Sequence, residues 1–129
     1  MRPYLIIVSL LLLFGSGRVM SQPLSDRVVK ALEKSDHGVL AATFHTMVDL
    51  QIPGYSGNFS QSQASVILQR FFSDHPVASV RITRNGDNSD GSSYAIGELV
   101  SSGKKYRLYF VTREISGEEK VMVFKIMDN

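Results

Sequence analysis

Few side chains in this sequence carry reactive chemistry, and the three histidines are the first to weigh. His37, His45 and His75 include no pair at the four-residue spacing that lets two imidazoles on one helix face share a zinc ion, so the metalloprotease motif is absent. His45 and Asp49 are four residues apart and would meet if one helix ran through both, making the simplest acid/base pair the chain offers. Asp49 falls, however, in the stretch Val48 to Ile52, which alternates like a strand, so a surface or capping role for His45 ranks above a catalytic one. Asp87 to Gly91 resembles the acidic turn of a calcium loop. With Gly91 as the turn glycine, the first ligand position is Gly86 and the closing glutamate position is Gly97, so the motif fails at both ends. No serine sits in a Gly-x-Ser-x-Gly elbow and no glycine-rich run leads from a strand into a helix, so nucleophile and phosphate-cradle motifs are missing. No metal or cofactor is expected.

The chain has no cysteine, which removes disulfides, thiolate metal sites, a thiol nucleophile and a lipid-bearing cysteine. Residues 1–21 read as an export signal: a short basic start at Arg2, an apolar run from Leu5 to Phe14, and small residues Val19 and Ser21 ahead of a cut after Ser21. Ten apolar residues are half of the roughly twenty that a membrane-spanning helix needs, so no stable membrane insertion is expected after cleavage. The expected location is periplasmic or secreted. Without Arg2 and Arg18 the mature chain carries 12 basic and 12 acidic residues. Its net charge is then near zero, and a domain with no net positive field makes a poor nucleic-acid binder.

Residues 22–129 are expected to form one α+β domain. Leu24 to Lys34 has helical periodicity with Ser25 as its cap, and a second helix opens at Ser35 or Asp36 and runs through Val39, Leu40, Thr43, Phe44 and Met47. Val48 to Ile52 is a short strand ended by the turn residues Pro53 to Gly57. Ser60 to Gln63 fits a capping box, with Phe59 and Ala64 as a hydrophobic staple, and opens a third helix that carries Ile67, Leu68, Phe71 and Phe72 and stops at His75-Pro76. Val77 to Arg84 alternates as a strand, and Asn85 to Gly91 forms a loose polar connection. A β-hairpin follows: Ser93 to Val100, a Ser-Ser-Gly turn, then Lys104 to Arg113. An even-numbered turn places Glu98 opposite Arg107 and the small Ala95 and Gly97 opposite Phe110 and Leu108; an odd turn swaps the faces of the first arm. The last strand is Lys120 to Met127. Helices gathered on one face of an antiparallel sheet follow from this order.

These stretches together resemble a small uncharacterised family of exported proteins common in Bacteroidota. The similarity is carried by Ser35-Asp36 with Leu40 and Phe44, by Val48 to Gly54, Tyr55-Ser56, Phe59-Ser60 and Gln63-Ala64, and by Leu68, Phe71-Phe72 and His75-Pro76. Tyr94 to Gly97, Leu99 and Tyr106 to Phe110 complete it. Where the family usually has glycine before the acidic residue at the helix break, this chain has Ser35. The resemblance implies a fold like nuclear transport factor 2 (cystatin-like), a curved antiparallel sheet wrapped around about three helices into a cone. It implies no activity, because the family is a domain of unknown function.

In such a cone, Phe44, Phe72, Tyr94 and Tyr106 would line the pocket of a small apolar ligand, unless they simply pack the core. The outer sheet face, with Arg107, Tyr109 and Val111, suits a protein partner or a homodimer. An exported noncatalytic binder is the leading expectation, ahead of an isomerase- or hydrolase-like enzyme that would use His45 and Asp49.

Overall fold

A computed structural model describes residues 23–129, so the leader and its cleavage point lie outside the described residues. The order is α1 (Leu24–Glu33), α2 (His37–Ala42), β1 (Phe44–Ile52), β2 (Tyr55–Ser60), α3 (Gln61–Asp74), β3 (Val77–Asp87), β4 (Ser93–Ser101), β5 (Lys104–Ile115) and β6 (Glu118–Asp128). The six strands form one sheet in the order β2-β1-β6-β5-β4-β3. Neighbours are antiparallel except β1 and β6, which run parallel, a departure from the all-antiparallel sheet expected. Register shifts in the β1–β6, β3–β4 and β5–β6 pairs mark bulges, which bend strands and increase their twist, and the sheet curves accordingly.

The helical segment divides where the sequence suggested, by a tight C-terminal cap. The amide of Asp36 donates to the Ala31 carbonyl (2.8 Å) and that of Ser35 to Leu32 (2.9 Å), the paired bonds of a Schellman motif. Ser35 takes the left-handed conformation usually given to glycine (φ 51°), and its hydroxyl oxygen accepts from the Val77 amide at 3.1 Å, tying the break to β3. Asp36 then caps α2 by accepting from the Val39 amide. The expectation that Ser25 caps α1 is not met; Pro23 occupies that position with no side-chain bond.

The second helix was expected to reach Met47, yet it ends at Ala42. The Thr43 hydroxyl donates to the Leu40 carbonyl (2.6 Å), and the Thr43 carbonyl accepts from Val121 of β6 (2.8 Å) instead of from an amide one turn on. Sheet pairing thus takes the acceptor that would have continued the helix, and Phe44 starts a strand. A second correction is β2, expected only as a turn: Pro53-Gly54 makes the turn, and Tyr55 to Ser60 pairs with β1 from Ile52↔Tyr55 to Met47↔Ser60. The capping box of α3 is formed, with Ser60 Oγ accepting from the Gln63 amide (3.2 Å) and Gln63 Oε1 accepting from the Ser60 amide (3.0 Å).

The turn between β4 and β5 is even-numbered. Ser102 and Gly103 both have positive φ (50° and 78°), the requirement of a type I′ turn, and the register pairs Glu98 with Arg107, Gly97 with Leu108 and Ala95 with Phe110. The connection after β3 is neither long nor loose. Strand pairing continues to Asp87↔Ser93, and Asp90 closes the remaining turn by accepting from both the amide (3.0 Å) and the hydroxyl (2.6 Å) of buried Ser92.

The core lies between the concave sheet face and the helices. Phe44, Val48, Leu50 and Ile52 of β1, Leu99 of β4, Tyr106, Leu108 and Phe110 of β5, and Val121, Phe124 and Ile126 of β6 are buried against Val28 and Leu32 of α1, Leu40 of α2, and Leu68, Phe71 and Phe72 of α3. Gly97 is required there by space: a methyl on it would overlap the Arg81 carbonyl, which the bulge in β3 brings over it.

Candidate functional site

The four aromatic residues singled out from sequence do not share a cavity. Phe44 is fully buried, with its ring centroid 5.5 Å from that of Phe124, which lies 6.4 Å from Phe110. Phe72 (6% exposed) and Tyr106 (3%) belong to a different cluster, packed on Phe71 at 5.9 Å and 6.1 Å. His75 stacks on Phe71 at 4.4 Å, which makes it part of that packing. These side chains occupy the interior they were expected to line. None of the three borders any of the five principal clefts among the described residues.

Tyr94 is the exception. Its ring covers Gly86, where a methyl group would come within 3.0 Å of the tyrosine hydroxyl, and it borders a cleft of about 320 Å³ at the start of α1. The cleft is polar, with Ser25, Asn85, Asp87, Ser93, Thr112 and Glu119 around it. Two of its hydroxyls are engaged: Ser93 Oγ donates to Asp87 (2.7 Å) and Thr112 Oγ1 to Glu119 (2.9 Å). Room for a small guest exists, but among the described residues no histidine or lysine lines the cleft to complete an acid/base set.

The helix that would bring His45 and Asp49 together is not formed. Both lie on β1, across the register shift between Phe44 and Asp49, so the helical turn that would have joined them does not exist. Asp49 is exposed. Among the described residues, no group of three His, Asp or Glu side chains is placed to hold a metal ion.

The outer sheet face concentrates features that the inner face lacks. Strand register puts Arg84, Ile96, Tyr109 and Lys125 in one row across β3, β4, β5 and β6, with Arg81, Glu98, Arg107 and Met127 beside it. A third row holds Gly86, Tyr94, Val111 and Val123. Ile96, Tyr109, Val111, Val123 and Met127 are all half-buried, so an apolar strip runs through the centre of this face. A groove of about 300 Å³ lies in it, floored by Ile96, Tyr109 and Met127 and bounded by Thr83, Arg84 and Arg107.

The charges around the groove are unevenly satisfied. Arg81 Nη2 donates to Glu98 Oε1 at 2.7 Å, and this hydrogen bond holds the Glu98 carboxyl below the usual glutamate range. Arg84, Arg107 and Lys125 have no carboxylate partner among the described residues. Sequence reading had found Arg107, Tyr109 and Val111 from strand alternation. It missed Arg84, Ile96 and Met127, whose placement depends on the β3 bulge and on pairing with two other strands. A second groove, of about 360 Å³ between α1 and α2, has a basic rim of Arg27, Lys30 and Lys34 but a floor limited to Ala31, Val39 and Ala42.

With this geometry in place, the comparisons bear on fold and kinship. The model of the family described as "Domain of unknown function (DUF4783)" matches residues 25–126. A DUF4783 family protein from Bacteroides uniformis superposes with a TM-score of 0.74 at 23% identity, covering 81% of this chain and 95% of that one. A Nostoc punctiforme domain of unknown function with a cystatin-like fold gives a TM-score of 0.64 at 8% identity, covering 82% and 73% of the two chains. An NTF2-like protein of unknown function from Shewanella baltica gives 0.60 at 12%, covering 80% and 86%. Among curated proteins, none matches. The fold is therefore the NTF2-like, cystatin-like α+β cone.

Proposed function

The chain belongs to the DUF4783 family of unknown function, and from that premise we propose that it is an exported, noncatalytic module that recognises a protein partner through the outer face of its sheet. One observation carries this reading. The strands that bury Leu99, Leu108, Phe110, Phe124 and Ile126 on their concave side leave Ile96, Tyr109, Val111, Val123 and Met127 half-exposed on the other, beside Arg84 and Arg107, which have no carboxylate partner among the described residues. Tyrosine, methionine and arginine are the residue types that protein interfaces favour, and a contiguous apolar strip on an otherwise polar surface marks a contact site. A small apolar ligand is less favoured because Phe44, Phe72 and Tyr106 pack the interior it would need. The enzyme reading is less favoured because His45 and Asp49 lie on a strand and not on one helix face, and Asp49 is exposed. A small polar ligand beside Tyr94 is the second reading, supported by the cleft of about 320 Å³.

Export rests on the basic, apolar and small-residue segments of residues 1–21, and it is tested by the mass and location of the native protein. A chain starting at Gln22 outside the cytosol is expected; an intact Met1 on cytosolic protein overturns it. For recognition, a photo-crosslinking amino acid is placed at Tyr109 or, on α3, at Arg70. Adducts in the native host are expected at the Tyr109 position only. Equal labelling at both positions, or labelling at Arg70 alone, overturns the outer-face reading.

A further inference from the structure

We infer that the segment docking on this face is an acidic stretch of protein that seats one apolar or aromatic side chain on Ile96, Tyr109 and Met127, with carboxylates reaching Arg84 and Arg107. This rests on the outer-face reading and adds the chemistry of the partner. The groove between the two arginines measures about 300 Å³, room for a single large side chain, and its floor is apolar on all three sides. An occupant that covers the floor also takes water from the guanidinium groups beside it. A cation buried without a counter-charge is costly, so an uncharged occupant would forfeit much of what the apolar contact contributes.

The protein's own carboxylates do not meet that need. Glu98, the acidic neighbour in the adjoining row, is held by Arg81, and Arg113 on the same strand as Arg107 is held by Asp90 at 3.1 Å. Among the described residues, Arg84 and Arg107 are the two groove arginines without a carboxylate, one at each side of it, and Lys125 extends the positive row across β6. Arginine pairs with carboxylates through two parallel hydrogen bonds while its plane lies on apolar surface, so flanking arginines around an apolar floor select an acidic–apolar pattern. A second copy of this chain meets the pattern poorly. A two-fold axis through the groove sets the arginines of one copy against those of the other, and like charges in contact oppose association.

The test is an NMR titration of the ¹⁵N-labelled chain with three probes: a blocked ten-residue peptide with one central Phe flanked by Glu, the same peptide with Lys for Glu, and a ten-residue oligodeoxythymidine. The Glu peptide is expected to shift the amides around Ile96, Tyr109 and Met127 at concentrations up to about 1 mM, and the Arg84→Gln/Arg107→Gln chain to bind it at least about tenfold more weakly. Both arginines are exposed, so the variant keeps its fold. Equal or stronger binding of the Lys peptide on the same amides overturns the acidic partner while leaving the outer-face reading standing. The same holds if the oligonucleotide is preferred, or if these amides shift with protein concentration alone. Shifts confined to the helices, or no shift with any probe, overturn both.

Discussion

The two faces of β4, β5 and β6 are made from alternate residues of the same chain, yet they obey different rules. On the concave face Leu99, Leu108, Phe110, Phe124 and Ile126 are buried and pack on one another and on the helices. On the convex face Ile96, Tyr109, Val111 and Val123 are nearly as apolar but stop half-buried, interleaved with Arg107 and Lys125. Hydrophobic content alone therefore does not say which side of a strand is the core. The neighbouring elements decide: helices cover one face, and no element of the described residues covers the other. Apolar side chains that stability does not use are the ones free to serve recognition.

Substitutions on the two faces should separate stability from binding. The largest effect is expected from Phe124→Ala, which opens a cavity between Phe44 and Phe110 and should cost about 3–5 kcal/mol in chemical denaturation. Gly97→Ala should cost roughly 2 kcal/mol despite adding only a methyl, because that methyl meets the Arg81 backbone and forces β3 away from β4. Tyr109→Ser, directly across the sheet from this core, should change stability by less than about 1 kcal/mol and yet weaken binding of the Glu peptide. If Tyr109→Ser unfolds the chain, the distinction between the faces fails.

The smallest effect expected is a pH dependence at the rim of the outer face. Hydrogen bonds from Ser92, with the Arg113 charge beside it, hold the Asp90 carboxyl below the usual aspartate range. A carboxyl whose titration is lowered by folding stabilises the protein above its unfolded pKa, and the contribution is lost as pH falls through the lowered folded value. Asp90→Asn should accordingly flatten the loss of thermal stability below the ordinary carboxylate range. The exposed site makes the change small, and an unchanged acid profile in the variant would contradict the assignment.

The convex face was only partly legible in the sequence, whereas the concave one was largely so. Alternation along Tyr106, Leu108 and Phe110 identifies a buried row from one strand, and the capping box at Ser60 announces α3, because both signals are local. Phe44 was misplaced on a helix because its fate is decided by the Val121 amide, far along the chain, taking the Thr43 carbonyl. The β2 strand, with Gly57 and little apolar content, has almost no propensity of its own and exists through its pairing with β1. The groove between Arg84 and Arg107 needs the β3–β4 and β5–β6 registers together, including a bulge that single-strand alternation does not reveal. The same limit explains why Phe44, Phe72, Tyr94 and Tyr106 read as one pocket: their residue types suit a cavity, but only the three-dimensional pairing separates them into two packed clusters and one tyrosine at a polar cleft.

The most direct test is methyl NMR of the chain titrated with indole, an apolar probe small enough to enter either face. A packed interior and a receptive outer face predict that methyl signals of Ile96, Val111, Val123 and Met127 move while those of Leu99, Leu108 and Ile126 stay fixed. Movement of the inner methyls, with the outer ones unaffected, would mean that the cone holds a ligand after all and that recognition does not occur on the convex face.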